Sequence, residues 1–244
     1  MTGSGSQPRE ALILCGGLGT RLQAVVSDRP KPLADVGGRP FLDFLVSWAA
    51  RQGLTRIVLS IGYKAELIRE SFAKPRQALE VLFCEEKTPL GTGGALALAL
   101  PMLSQEPVLV MNGDTFCDVR LADFTAFHAG KKGIASMVAA RAADRKDGGV
   151  MRLGADDRVE AFEEKRALPG AAWINAGVLA LSRDALKLLP QGRAFSLETE
   201  IFPQLLTRGF FAFKTDKPLY DIGTPERLEA FRRDLASGKI TGGS

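Results

Sequence analysis

The sequence predicts an α/β protein, a three-layer α/β/α arrangement around a mixed sheet. Three observations predict it. Runs rich in Val, Ile and Leu alternate with segments of helical apolar spacing through the first half of the chain. Four such runs separated by helices argue for a parallel sheet covered on both faces. After about residue 130 the pattern turns to strands joined by short polar turns, more antiparallel in character.

The elements follow in order. "ALILC" is a short apolar run closed by glycines, and "FLDFLVSWAARQG" has helical spacing with a stop at Gly53. "RIVLSIG" reads as a strand, "KAELIRESF" as a helix and "LEVLFCEE" as a strand. "GGALALALPML" is a helix ended by a proline, and "PVLVMNGD" is another buried strand. "GIASMVAAR", "GGVMRLG", "RVEAFEEK" and "AAWINAGVLALS" are the later strands, followed by helical stretches near "LETEIFPQLLTRG" and "PERLEAFRRDLASG". The later strands are expected to extend the same sheet and form the other wall of a cleft. Residues 1–9 read as a flexible polar tail and residues 10–239 as a single domain. In open parallel sheets, ligands bind beyond the carboxyl ends of the strands. "CGGLGTR", "CEEKTPLGTGG" and "NGDT" all fall at such ends.

Composition narrows the chemistry. Of 244 residues, 45% are hydrophobic and 25% charged, ordinary values for a globular protein with a substantial core. The net charge of +4 comes without a basic block, which suits small anions rather than nucleic acid. No membrane span or secretory signal is visible, and three cysteines without a CxxC pair suggest a reducing, cytoplasmic setting with buried thiols. His128 is the only histidine, which disfavours a Ser-His-Asp triad, a His/Cys zinc site and a HExxH metalloprotease. Near a helix end it reads as a surface or capping residue. Carboxylates, Lys, Arg and a metal must then carry any chemistry.

In "CGGLGTR" the glycines fall at Gly16, Gly17 and Gly19, the wrong spacing for a dinucleotide fingerprint, and no Gly-Lys-Ser/Thr follows as a Walker loop requires. What remains is a loop whose N–H groups can wrap an anion, with Arg21 adding charge. "RPKPL" sets Lys31 between Pro30 and Pro32, which restrict the backbone around one ammonium. Asp114 in "NGDT" ends a buried strand and Asp221 in "YDIGTPERL" precedes a Pro-initiated helix, and at either place an aspartate equally suits a turn. Two carboxylates can also hold a Mg²⁺ that takes phosphate oxygens.

"LILCGGLGTRL" and "RPKPLADVGGRPFLDFLV", with "PLGTGGAL", "MNGDT", "FEEK", "INAGV" and "DIGTPERL" in order, resemble the sugar-1-phosphate nucleotidyltransferases over most of the chain. The resemblance implies a Rossmann-like, GT-A-like nucleotidyltransferase fold, with a nucleotide-binding half at about 10–130 and a sugar-phosphate half at about 131–239. It places Leu14, Gly16, Gly17, Gly19, Thr20, Arg21 and Lys31 on the nucleoside triphosphate, with Glu85, Glu86, Pro89, Gly91, Thr92 and Gly113 completing that side. Arg21, Lys31 and Asp114 take the catalytic roles, and Asp114 and Asp221 hold Mg²⁺. Gly149, Glu164, Lys165 and Asn175 fall to the sugar phosphate. The family commonly has proline after that lysine, where this chain has Arg166.

Guanine presents N1–H and N2–H₂ side by side, and one carboxylate accepts both. Uracil and thymine present one N–H between two carbonyls. Glu86, or its neighbour Glu85, therefore points to GTP. The overall pattern is most similar to the D-glycero-α-D-manno-heptose 1-phosphate guanylyltransferases, which make GDP-heptose for bacterial capsules and surface layers, with the mannose-1-phosphate enzymes close by. After "DIGTPERLEAFRRDLASGK" only "ITGGS" remains, so no C-terminal β-helix is expected; a homodimer is left open. A non-catalytic nucleotide-sugar sensor would not need the metal pair. A glycosyltransferase would carry Asp-x-Asp, whereas "NGDTFCD" spaces its aspartates four apart.

Overall fold

The computed structural model describes residues 7–17, 28–141, 148–164 and 172–240. The first apolar run forms β1, Glu10–Leu14, with Ala11 and Ile13 in one core cluster and Leu12 in the other. Successive side chains of a strand leave opposite faces, so an all-apolar run needs cover on both. Helix α1 (Phe41–Arg51) leads to β2 (Arg56–Ile61), α2 (Ala65–Ser71) to β3 (Glu80–Glu85), and α3 (Gly91–Ala99) to β4 (Val108–Asn112). These four strands pair in parallel in the order β4-β1-β2-β3. A short strand β5 (Thr115–Cys117) follows, then α4 (Leu121–Lys131), β6 (Ala135–Arg141), β7 (Gly149–Leu153) and β8 (Val159–Glu164). Strand β9 (Trp173–Leu181), α5 (Arg183–Leu186), α6 (Phe202–Leu206), β10 (Phe210–Thr215), β11 (Leu219–Asp221) and α7 (Pro225–Ala236) complete the order.

The main sheet runs β10-β6-β9-β4-β1-β2-β3, with β7 on β9 and β8 on β7. Strand β9 is antiparallel to both β4 and β6, so it joins the parallel half to the later strands. Helices α1, α2, α4 and α7 pack one face, through Phe44, Ile68, Phe124 and Phe231. Helices α3, α5 and α6 pack the other through Leu96, Ala185 and Phe202. The result is the expected three-layer α/β/α mixed sheet.

Three strands lie outside the sequence reading. Strands β5 and β11 have three residues each, too few to show a period of two. Strand β10, "FFAFKT", opens as a short apolar run that periodicity cannot assign. It pairs in parallel with β6 and forms the far edge. A second correction concerns His128. It is not a surface or capping residue: it is 7% exposed, and its Nδ1 lies 2.9 Å from the Ser136 hydroxyl of β6. Position 128 falls on the face of α4 that packs against the sheet. Burial pushes its pKa down, opposed only by the distant Glu106 charge. Cys15, Cys84 and Cys117 are free and buried, as expected. Among the described residues no helix is long and apolar enough to cross a membrane.

Candidate active site

The carboxyl ends of β1 and β4 lie side by side and set the floor of a cleft. Beyond β4 the Gly113 N–H donates to the Leu14 carbonyl at 2.9 Å. A Cβ at Gly113 would stand 2.7 Å from both the Cys15 sulfur and the Leu14 oxygen, so only glycine lets the backbone pass there. The chain then presents Asp114 and enters β5, which pairs antiparallel with β11 so that Thr115 faces Asp221. The Ile222 N–H donates to the Asp114 carbonyl at 3.0 Å. This small ribbon brings together two aspartates far apart in sequence.

Lys31 begins a 3-10 turn, Lys31–Leu33, framed by Pro30 and Pro32. Its side chain is 12% exposed, and Nζ donates to Asp114 Oδ2 at 2.5 Å. The Thr115 hydroxyl donates to Asp114 Oδ1 at 3.0 Å. Burial raises the Asp114 pKa, but the Lys31 charge and these hydrogen bonds outweigh it and hold the carboxyl below its ordinary value. Asp221 Oδ1 accepts from the Gly223 N–H at 2.9 Å and from Arg227 Nη1 at 3.2 Å. Among the described residues no group of three or more His, Cys, Asp or Glu could hold a metal. Two hard carboxylates at a cleft floor instead fit Mg²⁺, which commonly takes one or two carboxylates and completes its shell with water and substrate phosphates.

On the nucleotide side, Glu86 accepts from the Ser60 hydroxyl at 3.1 Å and from the Leu90 N–H at 2.9 Å. A Cβ at Gly16 would stand 2.3 Å from Glu86 Oε1, so the glycine lets the carboxylate lie against the loop, while position 17 is open. Glu85 is exposed and pairs with Arg69 of α2 at 2.7 Å. Adjacent residues at a strand end face opposite ways, so only one glutamate of the pair can face Gly16. Thr92 is also committed elsewhere. Its hydroxyl donates to Glu198 at 2.7 Å and accepts from the Leu197 N–H at 2.9 Å. The Gly93 and Gly94 N–H groups donate to the Phe195 carbonyl, and Gly91 has φ +71°, where a Cβ would stand 2.6 Å from that carbonyl oxygen. The start of α3 is thus stitched to the 195–198 segment, while Pro89 stays exposed.

Toward the later strands the cleft opens into a cavity of about 170 Å³, lined by Lys31, Asp114, Gly149, Glu164, Asn175 and Asp221 among others. Gly149 faces Glu164 across β7 and β8, and a Cβ there would stand 2.3 Å from Phe162 and 2.9 Å from Glu164 Oε2. Asn175 Oδ1 accepts from the Gly177 N–H at 2.9 Å, bracing an irregularity of β9 where Gly177 has φ +74°. Asn112, Glu198 and Arg227 also line the cleft, unforeseen from the sequence. Glu198 and Arg227 lie within the quoted "LETEIFPQLLTRG" and "DIGTPERL", but their types alone pointed nowhere. Gly19, Thr20, Arg21, Lys165 and Arg166 lie outside the described residues.

Comparison with known proteins bears on this geometry. The nucleotidyl transferase family matches residues 10–238. Mannose-1-phosphate guanylyltransferase of Mycobacterium tuberculosis is 33% identical over 94% of this chain, which spans 65% of that relative's length. D-glycero-alpha-D-manno-heptose 1-phosphate guanylyltransferase of Campylobacter jejuni is 34% identical over 89% of this chain and 96% of its own length. The crystal structure of HddC from Yersinia pseudotuberculosis complexed with GMP-PN superposes with a TM-score of 0.82 at 32% identity, covering 93% of this chain and 100% of that one.

Proposed function

The chain belongs to the nucleotidyl transferase family, and we propose that it carries a guanylyl group from GTP to a sugar 1-phosphate. What carries this reading is the meeting of Lys31, Asp114 and Asp221 in one cleft with Glu164 and Asn175. A phosphate oxygen of the acceptor attacks the α-phosphorus of GTP in line. The new P–O bond forms as the bond to the β-phosphate oxygen breaks, and pyrophosphate leaves with that electron pair. A phosphomonoester is already an anion near neutral pH, so no general base is needed. That suits a chain whose one histidine is buried in α4.

Lys31 neutralises charge on the α-phosphate, and Gly16, Gly17, Gly19, Thr20 and Arg21 wrap the triphosphate. Asp114 and Asp221 hold Mg²⁺, which when bound neutralises and orients phosphate oxygens. Alignment and charge then supply the rate enhancement. Glu86 accepts the guanine N1–H and N2–H₂, and the GMP-PN complex of the Yersinia relative supports a guanine nucleotide. Glu164 and Asn175 take sugar hydroxyls, Gly149 allows close approach, and Lys165 meets the acceptor phosphate. For the sugar we propose D-glycero-α-D-manno-heptose 1-phosphate, supported by the Campylobacter relative, with mannose 1-phosphate the competing acceptor on the mycobacterial one.

Pyrophosphate release with each NTP against a panel of sugar 1-phosphates, in the presence of Mg²⁺, tests this. GTP with the heptose 1-phosphate is expected to give the highest kcat/KM. A uridine or cytidine preference overturns the role of Glu86, and no turnover with any pair overturns the enzyme reading.

A further inference from the structure

Glu198 is a carboxylate of the cleft to which the proposed reaction gives no part. It borders the cavity together with Glu164 and Asn175. A π-helical turn, Leu197–Ile201, carries it into α6, with the Phe202 N–H reaching back to the Leu197 carbonyl. Such turns are rare and recur at functional sites. Two hydroxyls fix the side chain. Thr92 Oγ1 and Ser196 Oγ each donate to Glu198 Oε2 at 2.7 Å. Ser196 Oγ in turn accepts from the Glu198 and Thr199 N–H groups at 3.2 and 3.3 Å.

Both hydroxyls sit on one oxygen. Among the described residues, nothing donates to Oε1 and no cation pairs with this carboxylate. A carboxylate that borders a cleft without a cation of its own repels phosphate. It suits a neutral part of a ligand that carries O–H donors. Gly149, Glu164 and Asn175 share the cavity with it, whereas Gly16, Gly17 and Glu86 do not line it. The neutral part it faces is therefore the sugar of the acceptor.

Thr92 has glycine on either side. A Cβ at Gly93 would stand 2.1 Å from the Phe195 ring, so only glycine lets the start of α3 lie against segment 195–198. That contact brings the Thr92 hydroxyl to Glu198. Its one proton goes to Oε2, and its oxygen accepts the Leu197 N–H at 2.9 Å. No proton is left there for a nucleotide.

We propose that Glu198 binds a hydroxyl of the acceptor sugar through Oε1, and that Thr92 is its positioning residue. The glycine-rich start of α3 then serves acceptor recognition. The proposal rests on the guanylyltransferase reading of the cleft.

Steady-state kinetics with GTP, the sugar 1-phosphate that supports turnover and its monodeoxy analogues test the assignment. Glu198→Ala is expected to raise KM for the sugar 1-phosphate roughly tenfold or more, with KM for GTP changed less than about twofold. In wild type, one monodeoxy analogue should lose roughly tenfold in kcat/KM, and in Glu198→Ala that loss should shrink to less than about twofold. A residue that only supports the fold leaves every analogue's loss as in wild type, which overturns the proposal. Thr92→Val should raise KM for the sugar 1-phosphate about threefold or more, yet add less than about twofold to Glu198→Ala. Thr92→Ser keeps a hydroxyl and should recover most of the loss. A rise in KM for GTP with that for the acceptor unchanged returns Thr92 to the nucleotide and overturns its positioning role. Absence of wild-type turnover with every NTP and sugar 1-phosphate instead removes the guanylyltransferase reading, an outcome distinct from unchanged analogue losses in a working enzyme.

Discussion

Lys31 owes its place to its neighbours in sequence and its use to a residue remote from it. The flanking prolines shape the turn, and Asp114 receives the ammonium. Removing either end of that pair strips charge from the site where phosphate charge develops. Lys31→Ala and Asp114→Asn are each expected to lower kcat by roughly a hundredfold or more, measured as pyrophosphate release. Turnover near wild type in either variant would show the site to be misplaced. Glu86 supports a second prediction. Its carboxylate is braced by Ser60 and Leu90, so the acceptor oxygens are pre-positioned. A glutamine there offers one acceptor and one donor to a base edge that presents two donors. Glu86→Gln should lower kcat/KM for GTP about tenfold or more relative to UTP, and an unchanged ratio would remove the residue from base recognition.

Helices and strands carry the next set of consequences. Helix α4 buries His128 against Ser136 of β6, and burial depresses the histidine pKa below its free value of about 6.5. A depressed histidine binds its proton more readily in the unfolded chain. The associated stability is therefore complete above about pH 6.5 and is lost as pH falls through the folded value. The melting temperature should drop on acidification from pH 7 to 5, and the drop should be shallower in His128→Asn. Identical acid limbs would show that the histidine is not the titrating group. Segment 195–198 acts as a clasp between α3 and the cleft. Thr92, Gly93 and Gly94 all bond to it, which explains why "PLGTGG" needs small residues there.

At the scale of the whole molecule, an aromatic core supports the chemistry. Phe116 of β5 is 2% exposed and meets Phe44, Trp48 and Phe231 edge-on, at ring-centroid distances of 4.9, 5.4 and 6.2 Å. It anchors the ribbon that pairs Thr115 with Asp221. Phe116→Ala is expected to cost about 3–5 kcal/mol in denaturant unfolding and to reduce turnover under conditions where the chain remains folded. Full stability in that variant would mean the ring does not hold the ribbon.

How much was legible in advance follows from the range of each signal. The strands β1 to β4, the helices between them and the ends that carry Gly16, Lys31 and Asp114 are local patterns, readable because periodicity and turn chemistry act over a few residues. The fold class came with them, and the reaction class came from the resemblance that the ordered motifs carry. Strands β5 and β11 left no such trace, because three residues show no period and their pairing joins distant parts of the chain. The side of the strand on which Glu85 and Glu86 lie, the burial of His128, the commitment of Thr92 to Glu198 and the pairing of Lys31 with Asp114 are likewise matters of packing. The sequence by itself determined which chemical groups stand at which strand ends. Only the tertiary structure decided which of them meet, because proximity between remote residues is set by sheet pairing and helix docking rather than by spacing along the chain.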